Sequence, residues 1–263
     1  MATTATGNDL QVNVTELEGK VKAMYQAVAE HPGGNFHFDL GRALAERLGY
    51  APADLDAIPA QAVESFAGVG YYFDLLGLRP GETVVDLGSG SGMDAFIAAG
   101  RVGSAGAVIG IDMTDAQLAK AERLRQASGA SHVRFRKAYI DATGLSDEST
   151  DAVISNGVIN LAADKAAVFR EAARVLTPGG RLALSDIVTE KPLPSNVTCN
   201  ATLWAACIGG AMHIDEYVGA IESAGLCVRV MSANPEYRFL SKSAQGASRT
   251  YGVRSISLLA IKG

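Results

Sequence analysis

Residues 81–113 read GETVVDLGSGSGMDAFIAAGRVGSAGAVIGIDM. An apolar strand, Thr83 to Leu87, runs into a glycine loop at Gly88, Gly90 and Gly92; a helix follows, then a second apolar strand, Val108 to Ile111, closed by Asp112. Glycine lets backbone pass close to a ligand and turn sharply into a helix, whose first turn offers unpaired N–H groups. The stretch predicts a β-α-β unit that holds a nucleotide-like ligand.

The loop alone does not name that ligand, because Gly90, Gly92 and Ala95 also satisfy the G-x-G-x-x-G/A spacing of dinucleotide binders. Two acids narrow the choice. Asp86 sits at the end of the first strand, where a carboxylate orders the loop and reaches an ammonium group. Asp112, at the tip of the second, is placed to accept both hydroxyls of a ribose. VVDLGSGSG (84–92) followed by GIDMT (110–114) resembles the first two motifs of class I S-adenosylmethionine methyltransferases. The resemblance implies S-adenosylmethionine as cofactor and a Rossmann-like α/β fold.

The chain has 263 residues, 48% hydrophobic and 19% charged, enough to bury one large core or one core with an appended lobe. A net charge of −5 argues against a general nucleic-acid or membrane-surface binder, since phosphate backbones need a basic field. A small-molecule partner is expected instead. The sequence has no run of 18 apolar residues, and its first ten residues lack the basic and apolar regions of a signal peptide, so a cytoplasmic protein is expected. Cys199, Cys207 and Cys227 have no C-x-x-C spacing, and neither a disulfide framework nor a metal site is indicated.

Along the chain, Thr15-x-x-Glu18 has the form of a capping box for a first helix ending near Pro32-Gly33-Gly34. A short amphipathic helix from about Asp39 to Leu48 follows, with His37 just ahead of it. Residues 51–80 begin with a proline-marked turn, and Pro59 opens a helix toward Phe66. From Glu82 to Ile187 short apolar strands alternate with helical patterns, the signature of a parallel sheet. Thr114-x-x-Gln117 caps the helix after Asp112. Strands are expected at 133–137, 151–155 and 181–187, and the helix from Asp164 to Leu176 stops at Pro178-Gly179-Gly180. Two helices, about Val197 to Met212 and Ile214 to Ala224, precede strands at 226–231 and 254–262. The link between those strands holds Arg238, Lys242 and Arg249 and reads as a solvated basic loop.

These elements predict a mostly parallel seven-stranded sheet with an antiparallel C-terminal edge pair and an N-terminal helical extension. Residues 1–80 form that extension as a lid. Residues 81–263 form the cofactor-binding core, with acceptor-pocket helices at 192–225. Because ligands bind at the carboxyl ends of such strands, the strand ends form one wall. Asp112 holds the ribose, Met113 lies on an adenine face, Tyr139 and Ile140 flank the adenine edge, and Asn156 sits near the methionine portion. Asp86, Gly88, Ser89, Gly90 and Gln117 complete the cofactor set, and the resemblance adds Tyr71 as a lid residue over its methionine end.

A closer resemblance covers nearly the whole chain after residue 20. ISNGVINL (154–161), DKAAVFREAARVLTPGGRLALSDIV (164–188) and LWAACIGGAM (203–212) look like the arsenite methyltransferase family, itself similar to quinone-biosynthesis C-methyltransferases. Trivalent arsenic is soft and wants thiolate ligands. The family carries a cysteine where Gly157 stands here, and one or two more in the N-terminal region, where this chain has none before Cys199. Only Cys207 matches. The expectation is therefore a methyltransferase with a changed acceptor pocket, acting on a small organic molecule. His37, Tyr72, Cys207 and His213 are the candidate catalytic groups, His37 or His213 as base, with Trp204 as a further pocket contact. Three alternatives stay open: arsenite methylation, a cofactor-binding regulator without catalysis, and a nicotinamide oxidoreductase.

Overall fold

The computed structural model of the protein describes residues 13–198, Trp204 and residues 208–263. Its strands are β1 (Thr83–Leu87), β2 (Ala107–Asp112), β3 (Val133–Lys137), β4 (Thr150–Asn156), β5 (Leu176–Thr189), β6 (Met212–His213), β7 (Leu226–Ala233) and β8 (Arg254–Lys262). They form one sheet in the order β3-β2-β1-β4-β5-β8-β7, with the two-residue β6 paired to the end of β5. The first five strands are parallel; β8 runs antiparallel to β5 and β7 antiparallel to β8. The expected mostly parallel α/β sheet with its antiparallel edge pair is the observed one. Strand order reverses between β1 and β4, so a crevice opens beyond their carboxyl ends.

Helices α1 (Val14–Glu30), α2 (Gly41–Leu48), α3 (Pro52–Asp56), α4 (Ala60–Glu64) and α5 (Phe73–Leu76) precede the sheet; α6 (Met93–Val102), α7 (Asp115–Ser128) and α8 (Lys165–Val175) lie in its crossovers. After these come the one-turn α9 (Ser195–Thr198), α10 (Ile214–Ser223) and α11 (Lys242–Tyr251). Strand alternation sends neighbouring residues to opposite layers. Val84, Ala152, Ile154 and Ala183 pack in the layer with α2, α5 and α6, whereas Val85, Leu87, Val153, Leu182 and Leu184 pack with α8 and α10. The same alternation sends the polar strand ends to opposite sides: Asp86, Asn156 and Ser185 fall on the α6 side, Ser155 and Asp186 on the α8 side.

A third apolar cluster roofs the carboxyl ends of the strands. Leu17 and Val21 of α1, with Met24 and Tyr25, meet Val69, Leu161, Trp204, Ala211, Tyr237 and Tyr251. The N-terminal extension is pinned to α7 as well: Gln117 Nε2 donates to the Tyr25 carbonyl at 2.9 Å, and Lys120 Nζ donates to Ser65 Oγ at 2.6 Å.

Four local expectations are corrected. Helix α1 is capped by Asn13, whose Oδ1 accepts the Glu16 N–H at 3.1 Å, so Thr15 lies inside the first turn; asparagine is the stronger cap and stands two residues earlier. Thr114 is the N-cap of α7 without a side-chain cap bond, and the reciprocal half of the capping box is missing too, because the Gln117 amide is committed to Tyr25 and Ser91 and the Thr114 N–H to Asp112. Pro52 starts the short α3 where a turn was expected. The basic link contains α11, capped by Ser241 Oγ on the Ala244 N–H; Ala244 is buried, and Ala247 and Tyr251 turn into the roof. Its Arg238, Lys242 and Arg249 remain exposed. Half of the helix expected between Val197 and Met212 lies outside the described residues; its expected end is not helical, since residues 208–211, with Gly209 and Gly210, form a turn and Met212 starts β6.

Asp186 on the α8 side is buried beside Tyr217, whose hydroxyl donates to Oδ2 at 2.8 Å, while the Ile187 N–H donates to Oδ1 at 2.8 Å. Desolvation raises its pKa from the ordinary 3.8 to about 6, against the opposing pull of those donors and of the Lys165 ammonium. The folded chain thus keeps a proton that the unfolded chain releases, and stability falls as pH rises through that interval. Wild type should lose up to about 3 kcal/mol relative to Asp186→Asn between about pH 4 and about pH 6, read by urea unfolding.

Candidate cofactor and acceptor site

The turn from β1 into α6 is tied to the neighbouring strand before it meets any ligand. The N–H groups of Gly88 and Ser89 both donate to the Ile111 carbonyl, at 2.8 and 2.9 Å. Gly88 has φ +74°, and a Cβ there would lie 2.6 Å from Val158, so no other residue fits. Asp112 closes the arrangement from β2: its Oδ2 accepts the Gly90 N–H at 2.9 Å and its Oδ1 the Thr114 N–H at 2.8 Å. Each of these oxygens has a second lone pair, the requirement for accepting two ribose hydroxyls.

Above this turn lies a cavity of about 580 Å³. Gly88, Ser89, Gly90, Asp112, Met113, Gln117, Tyr139, Ile140 and Asn156 all line it, so nine of the predicted cofactor residues are brought together. Ser89 Oγ is buried there without a hydrogen-bond partner among the described residues, an unfilled demand that a polar ligand meets. The remaining wall is largely apolar: Leu17, Val21, Phe66, Met93, Leu161 and Ala162. A polar cradle with an apolar annex fits an adenosyl group with room for an acceptor beside it.

Several predicted residues stand away from this wall. Asp86 is 3% exposed and does not line the cavity, because alternation along β1 turns its side chain under α6. Tyr72 is fully buried beneath the wall, its hydroxyl donating to Asp94 Oδ2 at 2.7 Å. Tyr71 donates to Asp74 and accepts from Arg101 on the far side of the same segment. His37 stacks edge-on against Phe38, with ring centroids 4.6 Å apart, and is not in the lining. His213 is the N-cap of α10, its Nδ1 accepting the Asp215 N–H, and is likewise absent from the lining. Trp204 is buried in the roof with the Lys165 ammonium 4.6 Å from its ring centre. Cys207 and Cys199 lie outside the described residues.

Asn156 lines the cavity, but its amide is spent on protein. Its Oδ1 accepts the Val69 N–H at 2.8 Å; its Nδ2 faces the Gly70 carbonyl at 3.0 Å, Tyr50 Oη at 3.1 Å and Asp94 Oδ2 at 3.2 Å. These bonds hold the 69–70 backbone, Tyr50 and Asp94 together.

Sequence reasoning missed Asp94, Tyr50 and the lining face of α1. An acid two residues past the last loop glycine, in the first turn of α6, was a readable signal for Asp94. Tyr50 and Leu17 reach the site through tertiary packing that no local spacing encodes.

The sequence profile of a methyltransferase domain family matches residues 78–225. The chain is 39% identical over 198 residues to an arsenite methyltransferase of Halobacterium salinarum, covering 75% of this chain and 50% of that relative. Among solved structures it resembles an arsenic(III) S-adenosylmethionine methyltransferase from Chlamydomonas reinhardtii, with TM-score 0.68 and 33% identity over 81% of this chain and 74% of the other. A geranyl diphosphate C-methyltransferase from Streptomyces coelicolor shares the fold, with TM-score 0.69 at 19% identity over 96% of this chain and all of that one. The chain spans about half the length of the curated relatives that it matches.

Helix α1 crosses the cavity and is fastened to the opposite lip, where the Tyr139 hydroxyl donates to Glu18 Oε1 at 2.6 Å and Lys22 Nζ donates to Tyr139 Oη at 3.2 Å. Removing that hydroxyl with Tyr139→Phe should speed dissociation of S-adenosylhomocysteine about fivefold in stopped-flow measurements, equivalent to about 1 kcal/mol for its two exposed hydrogen bonds together, with association little changed.

Proposed function

The chain belongs to the methyltransferase-domain family of class I, S-adenosylmethionine-dependent enzymes, and on that premise we propose that it methylates a small, uncharged or cationic organic molecule held in the apolar annex beneath α1. The observation that carries this reading is the composition of the wall. Among the described lining residues every ionisable side chain is a carboxylate or a phenol: Glu18, Tyr25, Asp94, Tyr139 and the aspartates at 112, 141 and 164. An anionic acceptor meets only like charge there.

Gly157 argues in the same direction. It lines the cavity with φ +73°, and a Cβ would come 3.2 Å from Val69. The position at which the resembling family carries a thiolate has a backbone that disfavours any side chain. The one described cysteine, Cys227, is exposed and outside the lining, so with Gly157 at the family's thiolate position only Cys199 and Cys207 are left for arsenic, one short of a three-sulfur site.

S-adenosylmethionine supplies an electrophilic methyl group on its sulfonium. The chain's residues supply placement and dryness. Asp112 takes the ribose hydroxyls, Met113 and Ile140 border the adenine, and the Gly88–Gly90 backbone cradles the chain that joins them. Leu17, Val21, Phe66 and Leu161 exclude water from the acceptor side and align it for in-line attack. With no imidazole on the wall among the described residues, the favoured acceptor atom is nucleophilic without prior deprotonation.

The same reading makes the acceptor neither nucleic acid nor membrane and the setting cytoplasmic, supported by 28 acidic against 23 basic residues. No helix among the described residues is long and apolar enough to cross a membrane. Residues 13–80 serve in it as the lid and acceptor wall.

Arsenite methylation is the second reading, favoured by the curated relatives and by Cys207 in the LWAACIGG stretch. One assay separates the two. With methyl-labelled S-adenosylmethionine, a metabolite extract split by ion exchange should take up label in its neutral or cationic fraction, and arsenite with thiol should take up none. Label on arsenic alone contradicts the proposal.

A further inference from the structure

Two carboxylates lie buried under the β1–α6 turn, and their surroundings differ. Asp94, 5% exposed, accepts hydrogen bonds from Tyr50 Oη at 2.7 Å, Tyr72 Oη at 2.7 Å and Asn156 Nδ2 at 3.2 Å, and it lines the cavity. Asp86 has the Ala95 N–H, one oxygen without a partner among the described residues, and no place in the lining.

We propose that Asp94, rather than the strand-end Asp86, is the carboxylate that receives the α-ammonium of S-adenosylmethionine. Three arguments converge. The first is reach: an ammonium in the cavity meets Asp94 directly, while Asp86 lies behind the wall. The second is charge. Two like charges buried together do not both ionise readily, and the member with three donors keeps the charge. Burial and the neighbouring Asp94 and Asp112 push Asp86 well above the ordinary carboxylate range; burial raises Asp94 as well, but its tyrosine and asparagine donors oppose the rise. The third is an unmet partner. Asp94 forms no ion pair among the described residues; Tyr50 is the one hydrogen-bond partner of its Oδ1, and that oxygen keeps a lone pair for an incoming cation. Glu18, the other carboxylate on the α1 side of the cavity, is already taken by Lys22 and Tyr139.

This assignment gives the 68–72 segment a purpose. Tyr72 and the Asn156-bound Val69 and Gly70 meet at Asp94, so an ammonium arriving there tightens the segment that walls the methionine end.

The test compares two ligands that differ in the amino-acid portion: S-adenosylhomocysteine, which has the ammonium, and 5′-methylthioadenosine, which lacks it. Calorimetric affinities are measured for wild type, Asp94→Asn, Asp86→Asn and Tyr72→Phe, each checked for folding by circular dichroism. Asp94→Asn should weaken S-adenosylhomocysteine at least tenfold and leave methylthioadenosine within twofold. Tyr72→Phe keeps the carboxylate but strips one donor, and should weaken S-adenosylhomocysteine a few-fold with the same selectivity; it decides the matter if Asp94→Asn does not fold. Asp86→Asn should leave the ratio of the two affinities unchanged. A ratio that moves with Asp86→Asn instead, or that neither Asp94→Asn nor Tyr72→Phe moves, overturns the proposal.

Discussion

The side-chain amide of Asn156 joins four pieces of chain that are far apart in sequence. It holds the backbone of Val69 and Gly70, the hydroxyl of Tyr50 and the carboxylate of Asp94, from a position at the end of β4. Because the amide is half-buried among polar partners, losing any one leaves a donor or acceptor less well satisfied. That makes the junction cooperative. From below, the same segment is clamped by Ser255 Oγ on the Val69 carbonyl at 2.6 Å and Ser257 Oγ on the Tyr71 carbonyl at 2.9 Å. The cavity keeps its shape because its floor is fixed from both sides.

Strand alternation then divides the chemistry. One residue of difference along β1 decides whether a carboxylate faces the α6 layer or the α8 layer, and the same holds on β4 and β5. On the α6 side, Asp86 and Asn156 sit with Asp94 and the two tyrosines. On the α8 side, Asp186, Tyr217 and Lys165 form a separate buried polar group that supports the roof through Trp204. Methyl transfer needs a cofactor held by polar contacts next to a dry acceptor space, and the fold supplies both by placing an apolar roof over a polar floor.

The core was legible from sequence because its signals are local. The glycine turn, the apolar strands and the acid at the tip of β2 each follow from spacing, and all seven long strands are found, although β5 starts at Leu176 and runs through the Pro178-Gly179-Gly180 stretch read as a stop. The acid pair was half legible: Asp86 stands out by its distance from Gly88, yet it does not line the cavity, and the acid at the wall is Asp94. His37 and His213 attracted attention as titratable groups, but one packs on an aromatic ring and the other caps a helix. Helix α11 was hidden by its basic surface residues, which mask a small apolar face. The acceptor wall was the least legible, since α1 meets Leu161 and Trp204 through contacts that span most of the chain.

A crystal structure of the protein with S-adenosylhomocysteine tests the central claim most directly. The account predicts the ribose hydroxyls on Asp112, the ammonium within hydrogen-bonding distance of Asp94, and the sulfur facing the apolar space between Leu17, Val21 and Leu161. A ligand whose sulfur faces solvent, or whose amino-acid end lies away from the 68–72 segment, would contradict it.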